Sequence, residues 1–250
     1  MKEVVVISGK GGTGKTSLMA SFAALSGGCV LADCDVDAAD LHLVLSPRVR
    51  ERHDFRGGRE AVIRPADCIG CDLCREYCRF EAIRVEETAA GDVYSVDPVS
   101  CEGCGVCVRF CPVEAIDFPE RLCGEWMVSE TRSGPMVHAR LGIAAENSGK
   151  LVSTVRQEAR RIAEEENRSL ILVDGPPGIG CPVIASVTGA SLVLAVTEPT
   201  VSGEHDLERV LALARHFQVP AAACVNKWDL NPEMSARIEA KAVAAGARLA

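Results

Sequence analysis

Residues 4–25 constrain this chain more than any other stretch. An apolar run, Val4 to Ile7, leads into Gly9-Lys10-Gly11-Gly12-Thr13-Gly14-Lys15-Thr16-Ser17, and a helix-like run follows to Leu25. The loop fits G-x-x-x-x-G-K-[ST] in the strand–loop–helix context that gives the motif its meaning. Glycines let the backbone turn so that several N–H groups point at one anion, and the helix behind adds its positive end. Lys15 supplies a point charge for the β- and γ-phosphates, and Thr16 a hydroxyl for Mg²⁺. Gly9 through Ser17 are therefore the candidate nucleotide-binding residues.

Further apolar runs end in polar residues, as expected of a parallel α/β sheet whose ligands gather at the carboxyl ends of the strands. Cys29 to Ala32 ends in Asp33-Cys34-Asp35-Val36-Asp37, and Asp37 to Leu45 reads as helical. The aspartates suit Mg²⁺ and an attacking water, or alternatively a helix N-cap with an acidic first turn. Leu170 to Val173 ends in Asp174-Gly175-Pro176-Pro177-Gly178, where a strand-terminal carboxylate meets the Mg²⁺ shell. Ser191 to Thr197 ends in Glu198-Pro199-Thr200, and Pro220 to Val225 in Asn226-Lys227-Trp228-Asp229. The charged positions between Arg156 and Glu166 read as the solvated face of an amphipathic helix.

A second feature interrupts this pattern. Charged residues, Pro47 and Gly57-Gly58 make Arg48 to Gly58 read as a linker. An internal repeat follows: Cys68, Cys71, Cys74 and Cys78, then Cys101, Cys104, Cys107 and Cys111, both in the frame C-x₂-C-x₂-C-x₃-C. This is the ligand spacing of two-cluster ferredoxins, in which the fourth cysteine of each run ligates the other cluster. Cys68, Cys71, Cys74 and Cys111 are thus assigned to one 4Fe–4S cluster, and Cys101, Cys104, Cys107 and Cys78 to the second. Zinc prefers two C-x₂₋₄-C pairs in one local knuckle, which this frame fits poorly. Arg79 stands where the second run has Pro112. Between the runs, residues 84–96 read as a hairpin around Ala90-Gly91-Asp92. Of the other five cysteines, Cys29, Cys34, Cys123 and Cys224 read as small buried apolar groups, and so does Cys181, with a redox or cluster role as its alternative.

The totals set bounds. A net charge of −8 gives no electrostatic footprint for nucleic acid. The longest uncharged run, residues 175–197, contains three prolines and several glycines, so no membrane span is expected. Thirteen cysteines with no secretory leader argue for cluster ligation over a disulfide framework, and for the cytoplasm.

Lys10, directly after the first glycine, gives K-G-G-T-G-K-T. With the D-x-D after the second strand, D-x-P-P-G at Asp174 and the cysteine octet, the chain resembles MinD/ParA-superfamily P-loop ATPases carrying an inserted ferredoxin domain. The resemblance implies a doubly wound, mostly parallel α/β domain from residues 1–60 and 121–250, with a small α+β domain at 61–120. It implies a nucleotide-sandwich dimer, in which Lys10 reaches the nucleotide of a second subunit of the same or a related ATPase. It makes Asp35 the candidate for positioning the hydrolytic water and a ligand of the Mg²⁺ shell with Thr16 and Asp174, the loops after Asp35 and Asp174 the switches, and Asn226 a contact to adenine; N-K-x-D also has the look of a guanine reader. ATP, Mg²⁺ and two 4Fe–4S clusters are the implied cofactors. The implied functions are ATP-gated electron transfer to a redox partner, cluster or metallocofactor assembly on an apo-metalloprotein, or positioning with structural clusters. Related ATPases continue beyond the point matching Ala250 through another strand and helix, so a truncated C-terminus is expected.

Overall fold

Val5, Val6 and Ile7 are wholly buried, and the strand they define, β1 (Lys2–Ser8), runs through the middle of a nine-stranded sheet. The computed structural model describes residues 1–89, 91–142 and 148–250. These form two compact units: Met1–Asp54, Gly124–Leu141 and Ser148–Ala250 in the first, Phe55–Cys123 with Gly142 in the second.

In the first unit β1 lies between β10 (Leu170–Pro177) and β11 (Leu192–Thr197), parallel to both. Beyond β10 come β2 (Val30–Asp33) and β9 (Gly134–Leu141), also parallel. On the other side β12 (Ala221–Val225) and β13 (Arg248–Leu249) extend the parallel set. β8 (Glu120–Thr131) is antiparallel to β9, and β3 (Arg48–Arg59) forms the edge. Strands covered on both faces read as near-continuous apolar runs, which is why β1, β2, β10 and β11 are legible in the sequence. The helices are α1 (Lys15–Leu25), α2 (Leu41–Leu45), α5 (Ser148–Glu165), α6 (Cys181–Val187), α7 (Val201–His216) and α8 (Pro232–Ala244). Thr200 caps α7 by accepting the Gly203 N–H, and Asn231 caps α8 by accepting the Met234 N–H, with Pro232 in the first turn.

In the second unit β4 (Val62–Ile63) pairs with β7 (Ile116–Asp117), and β5 (Ile83–Thr88) with β6 (Gly91–Val96), both antiparallel. Two short helices, α3 (Leu73–Glu76) and α4 (Val106–Phe110), carry the ends of the cysteine runs. The core is small: Ala61, Ile63, Ile83, Tyr94 and Ile116, with Cys68, Cys74, Cys78, Cys101, Cys107 and Cys111 packed against it.

Three expectations are corrected. Arg48 to Gly58 is not a linker but most of β3. An edge strand wetted on both faces needs no apolar alternation; its charges guard the edge, and Arg50–Glu130, Arg52–Glu125 and the stacked His53–Trp126 pair hold it to β8. The helix expected from Asp37 covers only Leu41–Leu45, because Leu41 and Leu45 alone are buried there and the preceding aspartates sit in a turn. Arg156 is not on a solvated face. It is 5% exposed and donates to Glu3 Oε1 at 2.6 Å and to the Thr188 carbonyl at 2.9 Å, while Arg160 donates to Glu3 Oε2. Ala90 of the expected hairpin turn, and Glu146 and Asn147 before α5, lie outside the described residues.

Candidate functional site

The loop between β1 and α1 follows a strand with parallel neighbours on both sides, so residues at the carboxyl ends of β10, β2, β11 and β12 converge on it. Register does most of this. Asp174 pairs with Asp33 across β10 and β2, which sets the two carboxylates on adjacent strands, both 1% exposed. Lys15 closes the group: its Nζ lies 2.6 Å from Asp174 Oδ1 and 3.4 Å from Asp35 Oδ2. The Asp35 N–H donates to Asp33 Oδ1 at 3.2 Å.

Two glycines are demanded by close approach. A side chain at Gly9 would collide with Asp206 of α7, its Cβ falling 2.1 Å from that of the aspartate. Gly14 has φ of +89°, and a Cβ there would meet Asn226 Nδ2 at 2.3 Å. Asn226 donates to the Thr13 carbonyl at 2.8 Å, and Lys227 to the Gly12 carbonyl at 3.0 Å, so the end of β12 clamps the loop.

One lysine stands among three carboxyl groups. Burial pushes Asp33 well above the usual carboxylate range, with Asp174 adding to it; Asp174 and Asp35 are raised chiefly by burial too. Burial pulls the Lys15 ammonium down, but Asp174, Asp35 and Asp33 together outweigh it and hold it above its ordinary value. Asp33 Oδ2 and Thr13 Oγ1 are buried without a partner. Orphaned oxygens beside a glycine-rich loop, facing a lysine, fit a hydrated cation and phosphate oxygens.

Lys10 lies at the rim, 2.6 Å from Glu198 Oε1 and 3.1 Å from Ser202 Oγ. Glu198 also takes Lys227 at 2.8 Å, and the two lysines lower its pKa. The sequence reading gave Glu198 no role and Lys227 only a place in the base-reading N-K-x-D motif. The available signal was topological: Glu198 ends β11, the strand beside β1.

In the second unit the eight cysteines part into two sets. Cys68, Cys71, Cys74 and Cys111 line one cavity, walled by Ile63, Tyr94, Ala115 and Ile116. Cys78, Cys101, Cys104 and Cys107 line another, walled by Ala61, Ile83, Val96 and Phe118. The repeat extends to hydrogen bonds: the Ala82 N–H points at Cys78 Sγ at 3.4 Å, and the Ala115 N–H at Cys111 Sγ at 3.3 Å. Among the described residues no three His, Cys, Asp or Glu side chains converge closely enough to hold a single metal ion. Each cavity takes three cysteines of one run and one of the other, the ligand pattern of a two-cluster ferredoxin. Burial pushes the Cys74 thiol up to about 11, and Cys107 rises for the same reason, with neighbouring thiols adding. Such thiols ionise when a cationic centre compensates them. Arg79 is exposed. Cys181, expected to be buried, is exposed at the start of α6; Cys29, Cys34 and Cys123 are buried and Cys224 is partly so.

Residues 61–118 match the 4Fe-4S dicluster domain family. An uncharacterized protein of Methanocaldococcus jannaschii, MJ0578, is 34% identical over 232 residues, 92% of this chain and 79% of its own length. The chain belongs to that protein's family. Solved MinD structures share its fold. The cell division ATPase MinD of Pyrococcus furiosus superposes with a TM-score of 0.52 at 16% identity, over 99% of this chain and 81% of that one. The septum site-determining protein MinD of Pyrococcus horikoshii, complexed with Mg-ADP, gives 0.51 at 17%, over 95% and 76%. Among the described residues no helix is long and apolar enough to cross a membrane.

Proposed function

We propose that the chain is a cytoplasmic ATPase that couples MgATP-dependent dimerisation and switch motion to electron transfer through two 4Fe–4S clusters. One observation carries this reading: eight cysteines divided between two cavities, each completed by a cysteine from the other half, on a chain with a P-loop. Cys68, Cys71, Cys74 and Cys111 hold one cluster, and Cys101, Cys104, Cys107 and Cys78 the other. When bound, each cluster supplies a one-electron couple.

At the loop, Lys15 and the backbone N–H groups of residues 11–16 take the β- and γ-phosphates. Thr16, Asp35 and Asp174 order the Mg²⁺ shell, and Asp35 positions the attacking water. Asn226 holds the loop through Thr13 and faces the adenine. The partner subunit's Lys10 neutralises charge that develops in phosphoryl transfer. This chain's own Lys10 is engaged with Glu198, so dimerisation exchanges that pair for a contact across the interface. The loops after Asp35 and Asp174 respond to the γ-phosphate. The electron acceptor is a separate redox protein.

Assembly of clusters on an apo-metalloprotein is the second reading, favoured by the exposed Cys181. An anaerobic EPR redox titration with and without MgATP separates the two. Two interacting signals whose midpoints move by about 60 mV or more, above 1 kcal/mol per electron, support electron transfer. Unmoved midpoints, with cluster transfer to an apo-protein, support assembly.

A further inference from the structure

A cavity of about 520 Å³ opens beside the chain that follows Asp35. All its lining residues belong to the first unit. Val36 and Asp37 form one wall, and the Leu141 N–H ties β9 to the Val36 carbonyl at 3.4 Å. The opposite wall is one face of the β8–β9 pair, where Met127 stands across from His138 and Glu125 across from Arg140. His138 is buried, and its ring is fixed by Ser129, whose Oγ lies 2.7 Å from Nε2.

Two arginines, Arg52 and Arg140, and two carboxylates, Asp37 and Glu125, line the cavity. Glu125 is engaged by Arg52 at 2.5 Å, and Arg140 has no ion pair among the described residues. Beside burial, His42, Arg140 and Arg52 lower the His138 pKa, and Glu125 raises it. Between these groups the lining is apolar: Val36, Pro47, Met127 and Leu141. The volume falls in the range of small-molecule sites, about 300–1,000 Å³. An apolar ligand alone would shield Arg140 from water with no partner, which is unfavourable. A dianion such as phosphate would meet Asp37 and Glu125 as well. A single carboxylate satisfies the planar guanidinium at half that repulsion, and an apolar body covers the rest.

We propose that this cavity binds a small organic monocarboxylate, its head on Arg140 and its body against Val36, Pro47, Met127 and Leu141. The site shares no residue with the phosphate-binding loop or the cysteine cavities, but its wall of Val36 and Asp37 belongs to the loop after Asp35.

The test uses the full chain, purified anaerobically, with its histidine ring signals followed by NMR. The probes are benzoate, its neutral isostere benzamide, and sulfate. Benzoate is expected to shift the His138 signals saturably and raise that imidazole's pKa, while benzamide and sulfate do neither. Arg140→Met should weaken benzoate by roughly tenfold or more, and Arg140→Lys should restore part of the loss; both variants should unfold at the wild-type temperature. No saturable shift up to about 10 mM benzoate, a weak limit for a site of this size, would overturn the proposal. Equal binding of benzamide or sulfate, or unchanged affinity in Arg140→Met, would do the same.

Discussion

The two units of this chain build their sites by opposite routes. In the first, Lys15 meets Asp174 across 159 positions of sequence, and Asn226 meets Thr13 across 213. No local pattern links these residues. The parallel sheet does so by delivering the carboxyl ends of β2, β10, β11 and β12 to the loop after β1. In the second unit, three of the four cysteines around each cavity lie within seven residues of one another, and the repeat supplies the fourth. The first site depends on charge balance among distant strands, the second on the spacing of a short segment. Each should therefore fail without the other.

The largest expected effect comes from the first site. Lys15 is the cation set among Asp33, Asp35 and Asp174. Lys15→Ala leaves three carboxyl groups where phosphates must arrive. ATP hydrolysis should fall on the order of 10³-fold, with the iron content of the purified protein unchanged. If iron were lost along with hydrolysis, the independence of the two routes would be broken.

The next effect belongs to the second site. Cys111→Ala removes a ligand from the cavity of Cys68, Cys71 and Cys74, although Cys111 stands in the other run. Iron should fall by about half, one cluster of the two, with nucleotide affinity unchanged. Cys78→Ala should remove the other half. Iron analysis with EPR reads this directly, and full iron in either variant would contradict the crossed ligand sets.

This contrast also explains what the sequence made legible. The cysteine frame divides between the two cavities as its spacing predicts. The P-loop and Asp174 were legible because each follows an apolar strand and carries a local motif. Glu198 and the clamping contact of Lys227 were not, because their importance comes from β11 and β12 lying beside the loop, which is a fact of strand order. Arg156 was misread for a similar reason. Helical periodicity marks it as polar, and only tertiary packing shows that Glu3, 153 positions away, sits within reach. β3 escaped notice because an edge strand needs no apolar period. Cys181 looked like a core residue by type, but Gly180 and Pro182 start α6 at the surface there.

The smallest of these effects concerns His138, and it sharpens the comparison because every histidine of the chain, at 42, 53, 138, 205 and 216, lies in the first unit. Burial first, and then His42, Arg140 and Arg52, hold the His138 pKa at about 4 against an ordinary 6.5, with Glu125 pulling the other way. The unfolded chain therefore takes up a proton below about pH 6.5 that the folded chain refuses until about pH 4. The contribution of a neutral His138 is complete above pH 6.5, shrinks as the pH falls, and levels off below 4. After allowance for solvent on the cavity side, it amounts to something on the order of 2 kcal/mol. Asp33, Asp35 and Asp174 act in the opposite sense: their raised pKa values favour the folded state at low pH, a gain lost as the pH rises through those values. The raw slope of stability against pH mixes both, so the informative quantity is the difference between wild type and His138→Gln. Urea midpoints measured from pH 7.5 to 4.5 should show the wild-type advantage shrinking across that window. A gap that stayed constant with pH would mean that His138 is protonated alike in both states, and that the cationic surroundings of the cavity exert no hold on it.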